Sequence, residues 1–180
     1  MANRFTPLAG IDLQAILDAS PVGIGWSDAA GEIQYINNRF TGLFGYVLAD
    51  IPTLDHLYHL AFPDEAFRRE AVAPWARQVD ACRAVGSTPP SLEAPIACKD
   101  GSVRQVIVSA SWVGNHRLVN FSDITERWAV QQELERQAHT DFLTELANRR
   151  HFLELAEAEL ARTQRYGKPF SLMMLDIDHF

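Results

Sequence analysis

The tripeptide Lys99-Asp100-Gly101 most constrains this chain. It separates the apolar run Leu92–Cys98 from the longer run Val103–Val113, leaving no room for anything but a tight reversal. Glycine supplies the positive φ that such a hairpin turn needs, so the two runs must be antiparallel neighbours. Gly114-Asn115 repeats the device and returns the chain into Arg117–Phe121. Three strand segments in immediate succession form an antiparallel meander. In the middle segment Val106 and Val108 alternate with Gln105, Ile107 and Ser109, giving one wholly apolar face and one mixed face. A sheet of this kind needs helices on its apolar side.

The segments before the meander supply them. Ile11, Leu13, Ile16 and Leu17 recur at near-helical spacing until Ser20-Pro21 stops the helix. Val22, Ile24 and Trp26 then alternate, as do Ile33 and Tyr35, with Asp28-Ala29-Ala30-Gly31 between them as a second hairpin. Asn37 or Asn38 caps a short helix bearing Phe40, Leu43 and Phe44, which Gly45 ends. Pro52 and Pro63 break residues 46–62 into short apolar pieces. Asp64 opens a further helix, and Pro74 either starts another or kinks it. The order is hairpin, short helices, longer helix, meander. It predicts an α+β domain over 11–124, behind a tail of residues 1–10.

Asp123-Ile124-Thr125-Glu126 has capping-box spacing: Asp123 accepts from the third amide of a new helix and Glu126 reaches back. That helix, residues 125–140, is polar apart from a stripe of Val130, Leu134 and Ala138, extended toward Phe142. One such stripe buries little alone and predicts pairing with a second copy. Asn148 caps a helix that Gly167 closes, with Phe152, Leu155, Leu160 and Tyr166 among its apolar positions. Next comes Ser171–Asp178, apolar on both faces, which predicts a central strand ending in carboxylates.

Composition excludes some functions. The net charge of −7, with no basic run beyond Arg149-Arg150, gives no surface for general nucleic-acid binding. Cys82 and Cys98 are two separated cysteines. They provide neither a zinc set nor a disulfide framework and read as buried thiols in a reducing compartment. No window reaches the roughly 18 apolar residues of a membrane span. A cytoplasmic location is expected.

Residues 19–126 resemble a PAS domain of the PAS/PAC sensor class, through SPVGIGWSDAAGEIQYINNRFTGLFGY, the KDG turn and the closing DITER. Residues 141–180 resemble the start of a GGDEF domain, through DFLTELANRRHF and RYGKPFSLMMLDIDHF. The expected architecture is a PAS fold, an antiparallel sheet with helices on one face, then a linker helix and a truncated α/β GGDEF start. One departure is Glu145, where the family usually has the glycine of LTGL.

The second resemblance implies a diguanylate cyclase, which joins two GTP into cyclic di-GMP at facing sites of a homodimer. Asp176 matches the family's metal-binding aspartate, and Ile177 the residue whose main-chain carbonyl also binds metal. Mg²⁺ or Mn²⁺ is the implied ion, hard enough to prefer oxygen ligands and phosphates. Asp178 points to the same face without an assigned role. Phe180 matches a position near the triphosphate loop, and Arg162 one that some cyclases use in product inhibition. The GGDEF loop, a lysine expected after Phe180 and the guanine-reading residues are not in the sequence, so the chain as given is expected to be inactive.

The PAS resemblance implies a small-molecule input whose identity the sequence does not name. Trp26 and Tyr35 are the candidate pocket residues. Haem and flavin are disfavoured. His56 and His59, three apart on a short helix, fit surface or core histidines better than haem ligands, and the flavin-photosensor cysteine motif is missing around both cysteines. Asp123, Thr125 and Glu126 are the candidate couplers of sheet to output helix. The alternative is a non-catalytic PAS module, for dimerisation or ligand binding, attached to a degenerate GGDEF domain.

Overall fold

A computed structural model describes residues 13–141, 143–144, 146–173 and 175. The chain divides between Glu126 and Arg127 into two compact units.

The first unit begins with α1 (Leu13–Asp18) and the hairpin β1 (Gly23–Ser27) and β2 (Ile33–Ile36). Asp28 shapes the hairpin turn, its carboxylate accepting from the amides of Ala30 and Glu32 at 2.9 and 3.0 Å. Gly31 takes the φ of +89° that closes it. Helices α2 (Asn38–Phe44) and α3 (Leu54–Ala61) follow. Next is one helical run made of α4 (Glu65–Phe67), a π-helical turn (Arg68–Val72) and α5 (Ala73–Val85). Strands β3 (Leu92–Ala97), β4 (Val103–Val113) and β5 (His116–Asp123) complete the unit. The sheet order is β2-β1-β5-β4-β3, every pair antiparallel. The meander therefore forms as its turns dictate, and β5 carries the first hairpin beside it.

Pro74 sits in the first turn of α5 and so marks the start of that helix without interrupting the helical run. It has no N–H to return to the preceding turn. The chain widens instead to i→i−5 bonding just before it, with the Ala73 amide donating to the Arg68 carbonyl.

Register decides which side of the first hairpin faces the helices. Gly23, Gly25 and Ser27 pair with Phe121, Val119 and Arg117 and share their face. Phe121 and Val119 belong to the core with Phe40, Phe44, Ile51, Val79, Ile96, Val106 and Val108. The alternating Ile24 and Trp26 thus lie on the opposite face, where Trp26 stacks on Tyr35 at 4.1 Å between centroids. Gly23 admits α2. A Cβ on Gly23 would meet the Phe40 Cα and Phe121 Cβ at 3.3 Å, tighter than ordinary packing. Phe40, Phe44 and Phe121 close the contact edge to face, with centroids 4.9 to 5.6 Å apart.

The second unit contains most of α6 (Thr125–His139) and α7 (Arg149–Tyr166). No described side chain of either helix is buried. Between them Thr140 and Ala147 form an isolated antiparallel bridge. Asp141 folds the intervening loop by accepting from the Leu143 and Thr144 amides and the Thr144 hydroxyl at 3.2, 3.1 and 3.0 Å. Asn148 serves both helices. It caps α7 by accepting from the His151 amide at 3.0 Å and donates to the Ala138 carbonyl at 2.8 Å. Gly167 ends α7 in the left-handed region. The strand expected over 171–178 does not form in its described part. Residues 171–173 and 175 have no regular structure, and Leu172, Met173 and Leu175 are exposed. No described strand lies beside them, and a strand without a partner has nowhere to place its backbone hydrogen bonds.

Candidate functional site

Two features of the first unit have the character of sites: an internal cavity and the junction from which α6 leaves the sheet.

The cavity lies between the inner sheet face and α2, α3 and α5, with a volume of about 40 Å³. Its walls are apolar, from residues such as Phe40, Ile51, Leu57 and Val108. The polar tips of two aromatic wall residues are occupied elsewhere. Tyr46 donates to the Ala97 carbonyl at 2.9 Å, and the Trp75 indole to the Pro90 carbonyl at 2.7 Å. Of the two candidate pocket residues, Trp26 is among the lining residues and Tyr35 is not. The Tyr35 hydroxyl instead donates to Asp18 at 3.2 Å. Two polar residues that sequence reading missed sit on the cavity floor, Ser27 and Arg117, 1% and 8% exposed. Arg117 pairs with Asp80 and lies over the Trp112 ring at 5.1 Å.

His56 and His59 are exposed on α3 and do not line the cavity. Their Nδ1 atoms bond locally, to the Thr53 hydroxyl and the Asp55 carbonyl, each at 2.8 Å. Cys98 is buried at the end of β3, with its thiol 3.6 Å from the Leu43 carbonyl, and Cys82 is half-buried on α5.

At the junction, Asp123 works differently from a capping box. One carboxylate oxygen accepts from both the amide and the hydroxyl of Thr125, at 2.9 and 2.6 Å. The other accepts from Arg104 at 2.8 Å. Glu126 is exposed in the first turn of α6 and makes no reciprocal bond among the described residues. The Asx-type geometry takes the amide two residues on, so the third-amide position is not used. Thr125 ties the start of the helix to β4, its hydroxyl accepting from the Gln105 amide at 3.1 Å, while the Ile124 amide donates to the Gln105 carbonyl at 2.9 Å. Arg104 reaches in the other direction and donates to the Leu43 carbonyl at 2.8 Å. Hydrogen bonds thus run without a gap from the end of α2 through Arg104 and Asp123 to the first residue of α6. Burial raises the Asp123 pKa, but the Thr125 and Arg104 bonds outweigh it and hold the carboxyl below its ordinary value.

In the second unit, Asp176, Ile177, Asp178 and Phe180 lie outside the described residues, as do Phe142 and Glu145. Arg162 is exposed on α7 and pairs with Glu159 at 3.5 Å. Among the described residues, His139, His151 and Glu154 bring three possible metal-ligand atoms within 4.8 Å. Glu154 is there engaged by His151 at 3.4 Å and Arg150 at 3.9 Å, an ordinary charge cluster on the first turns of a helix.

Known proteins resemble parts of this chain. Residues 138–180 match the family model described as diguanylate cyclase, GGDEF domain. The diguanylate cyclase DgcM of Escherichia coli K12 is 33% identical over 85 residues, covering 45% of this chain and 21% of that protein. A diguanylate cyclase of Vibrio cholerae is 39% identical over 59 residues, covering 33% of this chain and 18% of that one. The chain thus spans about a fifth of the length of these relatives. Among solved structures, the Rhodobacter sphaeroides LOV protein superposes with a TM-score of 0.50 at 18% identity, covering 86% of this chain and 96% of that one. An RNA-binding light-oxygen-voltage receptor gives 0.51 at 19%, covering 76% and 41%. At such identities the likeness speaks for the fold alone. With the five-stranded antiparallel sheet and its helices on one face, these matches identify the chain as a PAS-fold domain followed by the opening segment of a GGDEF domain.

Proposed function

We propose that the chain is the sensory and regulatory part of a cytoplasmic diguanylate cyclase. A small molecule in the PAS cavity sets the state of the sheet, and the Asp123–Thr125 junction passes that state to α6. The observation that carries this reading is the continuous set of bonds from α2 through Arg104 and Asp123 to Thr125. A shift of the inner sheet or of α2 changes the geometry at which α6 leaves. No helix among the described residues is long and apolar enough to cross a membrane.

Output in this reading is a homodimer matter. α6 exposes Trp128, Val130 and Leu134 on an otherwise polar surface, and a second copy would cover them. Turning or tilting two paired helices alters how often two GTP-loaded cyclase domains meet. In the complete enzyme, Asp176 and the Ile177 carbonyl would hold Mg²⁺ or Mn²⁺, which neutralises charge on the transferring phosphoryl group. Phe180 would lie beside the triphosphate, and Arg162 would contact the product at an inhibitory site.

The test is GTP turnover by the chain extended through the whole catalytic domain, beside its Asp176→Ala variant. Cyclic di-GMP from the parent and a loss of at least a hundredfold in the variant would support the cyclase and the metal role together. No product from a folded, dimeric parent would favour a non-catalytic PAS module on a degenerate GGDEF domain.

A further inference from the structure

The floor of the cavity holds an unmet chemical demand. Ser27 and Arg117 are direct cross-strand partners on β1 and β5 and both line the cavity. Side chains so paired stand about 5 Å apart at their Cβ atoms. The Ser27 Oγ and the Arg117 Nε are buried and have no hydrogen-bond partner among the described residues. An orphaned buried donor forfeits its hydration with nothing in return, and native folds keep few of them. Two side by side at one cavity call for a single acceptor that serves both.

We propose that this acceptor is the carbonyl oxygen of a small neutral molecule, such as a ketone or amide, whose apolar body fills the rest of the cavity. A carbonyl oxygen has two lone pairs, one for the Arg117 Nε–H and one for the Ser27 hydroxyl. Charge selects against a carboxylate. The Arg117 guanidinium already has Asp80 as its counter-ion, so a second anion would lose its hydration against an apolar wall without a free cation to offset it. Tyr58 sharpens the point. Burial pushes its phenol pKa up and Arg117 only partly pulls it back, so it stays a neutral hydroxyl beside the site. Size bounds the ligand too. About 40 Å³ accommodates only a few water-sized groups, which fits a molecule of a handful of non-hydrogen atoms, such as acetone or butanone, and excludes a ring cofactor.

This inference rests on the PAS unit being the input of the proposed cyclase, but its test stands apart from turnover. The ¹H–¹⁵N resonance of Arg117 Nε is followed in the 180-residue chain while butanone or butyrate is added. The expected result is a saturable shift with butanone and none with butyrate, together with a five- to tenfold weaker butanone affinity in Ser27→Ala. That variant should fold normally, since it removes an orphaned hydroxyl. A stronger response to butyrate would overturn the neutral class. A folded chain in which neither compound moves the resonance would show that ordered water alone meets the two donors, which would also overturn it. Binding without any change in cyclic di-GMP formation by the longer chain would keep the ligand class and count against the regulatory reading instead.

Discussion

Asp123 shows how much one side chain can join. Its two oxygens hold Arg104 on one side and Thr125 on the other. Because its folded pKa lies below the ordinary 3.8, the stability it contributes is full above that value and is lost as pH falls through the lower folded pKa. The acid limb of unfolding below about pH 4 should therefore be shallower in Asp123→Asn than in the parent. Chemical denaturation at a series of pH values checks this, and parallel limbs would show that Asp123 is not among the groups responsible. Asp123 could be picked out from the sequence because Asp123 and Glu126 stand at capping-box spacing just before a polar helix, although the bonds it makes go to Thr125. Its partner could not, since Arg104 is brought to it only by the β4/β5 register. The same holds for Ser27 and Arg117, 90 residues apart in sequence and side by side in the sheet. Sequence reading favoured Trp26 and Tyr35 as pocket residues because large aromatics mark pockets. The register turns Tyr35 away from the cavity, whereas Trp26, stacked on it, is still among the lining residues.

At the scale of elements, alternation and turn chemistry located the five strands of the first unit to within about two residues, because glycine-closed turns leave a strand little freedom to slide. The π-helical turn before Pro74 was not legible, since proline in a helix permits a break, a kink or a widened turn and only packing selects among them. Nor was the role of Gly23, whose missing side chain lets α2 sit against β1. Gly23→Val should cost about 1–3 kcal/mol, measured as a lower denaturation midpoint with unchanged slope. α6 illustrates the converse. Its polar face is laced by local bonds, with Arg136 and Gln137 holding the Glu133 carboxyl at a pKa of about 2. Its apolar side chains meet no cover among the described residues. Leu134→Glu should convert a dimer to a monomer in light scattering while leaving the PAS sheet intact by circular dichroism. A variant as dimeric as the parent would place the dimer contact elsewhere.

For the whole molecule, the two units have different physical characters. Residues 13–126 enclose a core whose largest side chains are fully buried. α7 and the run that follows carry Phe152, Leu155, Leu160, Leu172 and Met173 in the open. Exposed apolar surface of this extent marks a place where other protein surface packs. The central claim is that the sheet-to-helix junction controls a cyclase. Its most direct test is the rate of cyclic di-GMP formation by the chain extended through its catalytic domain, compared with Asp123→Ala in the same protein. A junction that couples the two units with a typical 1–3 kcal/mol should change the rate about 5- to 150-fold. The GTP KM should stay nearly constant, because no GTP contact is touched. An unchanged rate in a folded, dimeric variant would contradict the claim.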